Sequence, residues 1–453
     1  MGETKELAEF VSRLIYEDLP ARVIEKAKEL ILDQLGCQIA GASLPWSKRA
    51  YEFITEYKGQ KEESTIVKYG LRTSAQDAAF ANACFGHGFM GDDTDSVCHA
   101  HLGSIIVPAA LAMSEREKID GKEFLKAVVV GYEVASRIGA AAPLSEGRGF
   151  HPGPIFGPFG AAACAGTVLG FHEDKILDAL GIAGSHSSGL MEYSKSGGTV
   201  NRLHSSIAAY GGVRAALLAQ KGFSGPATIL EGERGFLRAF SGECFVEEIN
   251  KGLGKEFRVL LIELKTYSCC GTLGPALDAV SKTKRDHDIH PKEIEEIIVK
   301  ASPATFRLAG TIIKPKDITS AQFSGAFSIA LNLIKGGNTF REYSEENLRD
   351  PDILGLATKT KFILDEALEK APNCDNPAKV LIRMTNGITY EETIYAAKGS
   401  ILNPMTRKEI IQKFRDHASN ALPDRNIEAI IETVLGLDSV NNISMFGQLL
   451  VNV

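Results

Sequence analysis

The sequence predicts a mainly α protein: a large all-α helical domain plus a smaller inserted α+β domain. Three observations predict it. Apolar residues recur at the helical period through most of the first 255 residues. Alanine and glycine crowd the central stretches, as in GAAACAGTVLG at 160–170, which suits buried helices in close contact. Strand-like alternation is concentrated between about 257 and 397, where Asn386-Gly387 separates two alternating runs, a strong hairpin signal.

In order, residues 4–16 and 20–41 read as amphipathic helices. Leu7, Phe10, Val11, Leu14 and Ile15 share one face of the first, and Pro20 suits the opening turn of the second. A third helix is predicted over 47–57 and a short strand at 65–69. Ser74 is a suitable N-cap for a helix over 75–85. Helices are then predicted at 104–114, 121–141, 156–170, 174–190, 203–220 and 230–240. Near residue 256 the character changes. A strand over 257–264 leads to KTYSCCGTLGP at 265–275. A helix (275–285), a strand (295–301), a helix (319–334) and mixed helices to about 371 follow. The hairpin pairs 379–384 with 389–396, and helices return at 406–419 and 424–435. The domain division is therefore 1–260 with 398–453 for the helical part, and 261–397 for the insertion.

Composition excludes several classes. The chain has 453 residues, 44% hydrophobic and 24% charged, with formal net charge -7. This is enough apolar material for a large core. No run of Lys and Arg marks a nucleic-acid footprint. No apolar stretch reaches the roughly twenty residues a membrane span needs. The N-terminal MGETKELAEFVSRLIYEDLP lacks the apolar core of a secretory signal. Eight cysteines in a chain of this length do not make a disulfide scaffold, so reduced thiols in the cytoplasm are expected.

The densest chemistry lies in NACFGHGFMGDDTDSVCHAHLGSIIVPAAL at 82–111, which holds Cys84, His87, Asp92, Asp93, Asp95, Cys98, His99 and His101. Burying so many polar groups is costly unless each has a partner, so the stretch suggests a site. Its spacing matches no structural zinc pattern, and Asp92-Asp93-Thr94-Asp95 lacks the glycine and glutamate of a calcium loop. A polar loop with helix caps is the plainer alternative. His151 lies in a tight Gly/Pro loop, RGFHPG. Arg202 and His204 precede a small-residue helix, where a guanidinium and a helix N-terminus can both receive anions. Lys265, Tyr267, Cys269 and Cys270 cluster at the expected domain junction, and cationic surroundings make a thiol a usable acid or base. Each of these groups also has a structural reading as a cap, a surface cation or a small buried side chain. Nucleotide-binding, P-loop and serine-hydrolase motifs are absent from the sequence. Imidazoles and cations in this company point to acid–base chemistry on an anionic small molecule.

Five stretches in order carry a resemblance to the MmgE/PrpD family: ANACFGHGFMGDDT with HLGSIIVPAALA, GFHPGPIFGPFGAAACAGTVLGF, VNRLHSSIAAYGGVRAALLAQKGFSGPATILEG, KTYSCCGTLGPALDAV and AQFSGAFSIAL. The family includes 2-methylcitrate dehydratase, cis-aconitate decarboxylase and iminodisuccinate epimerase. The resemblance implies an all-α domain closed by the C-terminal tail, an inserted lid, a cleft active site between them and a homodimer. It implies no metal or organic cofactor. By position, Asp93, Thr94, His101, His151 and Lys265 match site residues of the family. Met90 stands where members often carry the first Asp of H-x-x-D-x-D-D-T. Asn201 stands where decarboxylase-like members have Lys, and Cys270 where the decarboxylase has a catalytic His. These departures argue against cis-aconitate decarboxylation.

The expectation is a cofactor-independent, dehydratase-like lyase that abstracts a proton α to a carboxylate of a small di- or tricarboxylate. His101 and His151 would exchange protons, with Cys270 or Tyr267 on the opposite face. Arg202, His204 and Lys265 would hold carboxylates, and Asp93 and Thr94 would orient the substrate or fix a His tautomer. Epimerisation of an iminodisuccinate-like dicarboxylate and non-catalytic carboxylate binding are the alternatives.

Overall fold

The computed structural model describes residues 2–143, 145–370 and 374–451. It is mainly helical, and its buried apolar side chains form two large clusters. One gathers residues from 7 to 264 together with 410 to 450. The other gathers 269 to 384 and takes in Met90 and Tyr193 from outside that range.

In the first cluster the central layer is made by the helices Gly121–Ala141, Pro152–Val168 and Val200–Gln220, flanked by Ala75–Gly86 and Gly103–Glu117. Small residues set their separation. A Cβ on Gly160 would stand 2.5 Å from the Gly131 carbonyl oxygen, so only glycine lets these two helices lie this close. Ser74 caps Ala75–Gly86 by accepting from the Asp77 amide. Pro152 opens its helix at a position where a missing amide hydrogen costs nothing. The C-terminal helices Arg407–Ala418 and Asp424–Leu435 return to pack on Ala21–Gly41.

The second cluster is built on a four-stranded sheet ordered Thr360–Leu364, Ile294–Ala301, Ala378–Met384, Thr389–Ile394. Ile294–Ala301 runs parallel to the first of these and antiparallel to Ala378–Met384, with Val299 opposite Val380. Asn386-Gly387 turns the hairpin, with Gly387 at φ 85°. The helices Gly274–Asp286 and Gly325–Lys335 pack against this sheet.

Several elements differ from expectation. The helix expected at 174–190 ends at Ala183, and the strand expected at 65–69 shrinks to Ser64–Thr65. Residues 257–264 do not form one strand. Arg258–Leu261 closes into a 3-10 turn, and only Ile262–Glu263 pairs, with Thr94–Asp95. Buried Glu133 accepts from the Val259 amide at 3.0 Å, and Arg137 donates to the carbonyls of residues 249, 251 and 256, so this segment is tied to a helix rather than a sheet. The helix expected at 230–240 shortens to Phe236–Phe240, because 230–235 is taken up by turns at Gly232 and Gly235. The helix expected at 319–334 breaks into Ile318–Gln322 and Gly325–Lys335, the second capped by Ser324. Thr360–Leu364, read as part of a helical stretch, is an edge strand. Its five residues are mostly exposed, so they carry little periodic signal.

Candidate active site

A cavity of about 180 Å³ lies between the two clusters. Its first wall begins where Ala75–Gly86 ends. His87 is the C-cap, and the chain then loops back through Met90, in the left-handed region at φ 59°, to Asp92. His87 Nδ1 and Asp92 Oδ2 are 2.7 Å apart, both buried. Lys265 Nζ approaches the other Asp92 oxygen at 3.8 Å. Burial opposes charge on Asp92, but His87, His101 and Lys265 outweigh it and hold the carboxyl well below the usual carboxylate range.

His101 lines the same wall. Its Nδ1 lies 2.6 Å from the Asp93 carbonyl oxygen, an acceptor only, so Nδ1 carries the hydrogen and Nε2 keeps a lone pair. Thr94 Oγ1 is 3.3 Å from the same Nδ1. Burial and then the Lys265 charge push His101 down to about 3, so it is a neutral base at ordinary pH. His151 precedes the helix at Pro152 and faces His204, with the two Nδ1 atoms 2.9 Å apart. Burial and neighbouring imidazoles hold His151 well below its usual value, and burial then His87 push His204 down to about 4. The pair is therefore neutral and shares one hydrogen across this contact. The ring centroid of His87 lies 5.2 Å from that of His101 and 6.1 Å from that of His151.

The facing wall comes from the segment leaving the helical cluster. Lys265, Tyr267 and Cys270 line the cavity there. The Lys265 ammonium makes no hydrogen bond among the described residues. Cys270 Sγ is 3.4 Å from Thr272 Oγ1. Leu264 donates to the Gly399 carbonyl at 3.0 Å, which fixes this wall to residues 397–400. Gly399 sits at φ 95°, and a Cβ there would collide with the Leu264 carbonyl. Glu263, Asp375 and His99 also line the cavity. Burial and then Asp375 push Glu263 up to about 7. Carboxylate ligands are therefore favoured beside Lys265 and disfavoured beside Glu263 and Asp375.

The sequence matches the MmgE/PrpD N-terminal domain over residues 5–247 and the MmgE/PrpD C-terminal domain over residues 267–437. The chain belongs to the MmgE/PrpD family. Among its relatives is a cis-aconitate decarboxylase of Aspergillus terreus, 30% identical over 472 residues, covering 99% of this chain and 96% of that protein. The cis-aconitate decarboxylase-like protein oryM of Aspergillus oryzae is also 30% identical, with 97% and 95% covered. The human cis-aconitate decarboxylase is 24% identical, with 99% and 94% covered.

Within this MmgE/PrpD chain, Thr94, His101, His151, Lys265, Tyr267 and Cys270 all border the cavity. Asp93, Arg202 and His204 are not among the residues that line it. Both Asp93 carboxylate oxygens accept from the Gly103 amide, at 2.9 and 3.1 Å, and one accepts from Tyr132 at 2.6 Å, so this side chain anchors a helix start. His204 lies behind His151. Arg202 is fully buried, donates to the His87 carbonyl at 3.3 Å and to Gln322, and stacks 5.2 Å from the Trp46 ring. Both residues sit inside the helix Val200–Gln220 rather than before it. Tyr267 borders the cavity, but its hydroxyl donates to Asp278 at 2.7 Å and so has its hydrogen engaged.

The sequence assigns no individual role to His87, Asp92 or Gln322, although the first two fall in its densest polar stretch. His87 and Asp92 stand five residues apart in the dense loop, and that spacing was the available signal. Among the described residues, no three His, Cys, Asp or Glu side chains converge as a metal-binding group. Nor is any described helix long and apolar enough to cross a membrane.

Proposed function

We propose that this MmgE/PrpD protein is a lyase that removes water from a small hydroxylated di- or tricarboxylate. The observation that carries this reading is the His101 tautomer: Nδ1 is bound to the Asp93 carbonyl, which leaves the Nε2 lone pair at a cavity that also holds the Lys265 ammonium, ion-paired with Asp92 but without a hydrogen bond among the described residues. The relatives named as cis-aconitate decarboxylases support lyase chemistry on a tricarboxylate.

Lys265 binds the carboxylate next to the reacting carbon and draws charge from the developing carbanion. His101 Nε2 takes the α-proton. Cys270, on the opposite wall, gives its thiol proton to the departing hydroxyl. The C–H and C–O bonds break, a C=C bond forms and water leaves. The His101 proton then returns to the Cys270 sulfur through solvent, so the enzyme is unchanged. His87 and Asp92 keep Lys265 in place, and closure of the second cluster over the helical one excludes water during the step. The reaction proposed here needs no metal or organic cofactor.

Incubation with candidate hydroxy acids in D2O tests the reading. Water loss, with deuterium uptake at the α-carbon in the reverse direction, supports it. No turnover and no exchange with any acid that binds makes this a binding protein. Exchange without net conversion makes it an epimerase. Decarboxylation is the second reading, favoured by the names of the relatives, and carbon dioxide release from cis-aconitate would establish it.

We also propose that the chain acts as a homodimer. Val200, Leu203 and Ile207 are exposed along one stripe of the helix Val200–Gln220. Sedimentation velocity on the wild type and on Leu203→Lys/Ile207→Lys checks this; a wild-type monomer would refute it.

A further inference from the structure

We infer that Asn201 is a specificity-determining residue that recognises the substrate hydroxyl, and so selects hydroxylated polycarboxylates over their dehydrated counterparts. The inference rests on the polycarboxylate reading above and deepens it. Asn201 lies in the first turn of Val200–Gln220, is only 1% exposed and borders the cavity. Its Oδ1 has no hydrogen-bond partner among the described residues.

A buried amide oxygen without a donor is destabilising, because it has lost water and gained nothing. A ligand that supplies a donor at this point restores the lost bond. A carboxylate has only acceptors and cannot do so, whereas an alcohol can donate its O–H to Oδ1. The neighbourhood favours the same chemistry. Met90, which also borders the cavity, contributes an uncharged thioether. Among the described residues, the ammonium group at the cavity that makes no hydrogen bond belongs to Lys265. Carboxylate recognition and hydroxyl recognition are thus assigned to different residues. The carboxylate beside the reacting carbon goes to Lys265, and the leaving hydroxyl goes to Asn201. The alkene product lacks the hydroxyl and leaves Oδ1 unpaired again, which favours its release.

The test is calorimetric binding of matched pairs that differ by one water: citrate or isocitrate against cis-aconitate, and malate against fumarate. Wild type should bind at least one hydroxy acid about tenfold or more tightly than its alkene. Asn201→Leu, which keeps the volume and removes the hydrogen-bonding group, should lose that preference by weakening the hydroxy acid while leaving the alkene within about twofold. Equal or tighter alkene binding by the wild type overturns the inference, whatever the variant does. So does a folded Asn201→Leu protein with its preference intact, and in that case the polycarboxylate reading survives. If no acid of either kind binds to the wild type, the polycarboxylate reading fails and this inference with it.

Discussion

Arg202 and Gln322 join the two hydrophobic clusters from the inside. The Arg202 guanidinium donates to the Gln322 side-chain oxygen, and the Gln322 amide nitrogen donates at 2.8 Å both to the Phe89 carbonyl and to the Ser268 carbonyl. The Gln322 backbone carbonyl accepts from Cys270 at 2.9 Å. One side chain thus holds together the loop bearing His87 and Asp92 and the segment bearing Lys265 and Cys270.

Gln322→Leu should therefore cost more than a packing change of similar volume. It leaves Arg202, Phe89 and Ser268 with unpaired buried groups, a loss of about 2–4 kcal/mol. It should also lower turnover, because the two walls lose their common anchor. Urea unfolding and steady-state kinetics check both effects. A variant with wild-type stability and wild-type kcat would show that the anchor is dispensable.

His101→Ala should keep the fold and lower kcat/KM roughly 10²–10⁴-fold, the usual contribution of a positioned base. Because burial and Lys265 push His101 down to about 3, it stays unprotonated well below the ordinary histidine value near 6.5. The kcat/KM profile should accordingly show no acid limb between pH 6 and 7. A limb there that disappears in the alanine variant would contradict the assigned state of His101.

Cys270→Ser should reduce kcat by about 10²-fold and leave KM within about threefold, since the proposed role is proton delivery and not binding. A change confined to KM would make Cys270 a packing residue.

Asp93→Asn tests the helix anchor through its pH dependence. Burial pushes the Asp93 carboxyl up to about 7, although the hydrogen bond from Tyr132 works the other way. In the unfolded chain the group ionises near the ordinary aspartate value of about 3.9. Between these values the folded state holds the extra proton, so wild-type stability falls as pH rises through that window, by up to about 1.4 kcal/mol per unit. Asparagine keeps the acceptor for Gly103 and Tyr132 without the charge. Its stability relative to wild type should therefore rise from pH 5 to pH 7 and level off above. A gap that does not change with pH would mean Asp93 is not held neutral.

The helices were legible because their signal is local. Leu7, Val11 and the small-residue run at 160–170 announce a period and a close packing that need no distant partner. Thr360–Leu364 was not, because a short exposed edge strand is defined by its parallel pairing with Ile294–Ala301. The same division holds at the site. Histidine-, lysine- and cysteine-rich stretches mark His101, His151, Lys265 and Cys270 in the sequence itself. Gln322, inside AQFSGAF, offered no chemistry of its own to notice.

By itself the sequence determined a mainly helical chain, a change of character near residue 256 and the polar stretches that carry reactive side chains. All of these follow from residue type and spacing along the chain. Only the tertiary structure decided which groups face the cavity and which brace it. Arg202 has the same anion-binding capacity in either place, but its helix turns the guanidinium toward Gln322. Asp93 and Asp92 are adjacent and chemically identical, yet one anchors Gly103 and the other faces His87 and Lys265. Such choices depend on backbone direction and on partners distant in sequence, and a linear pattern does not encode either.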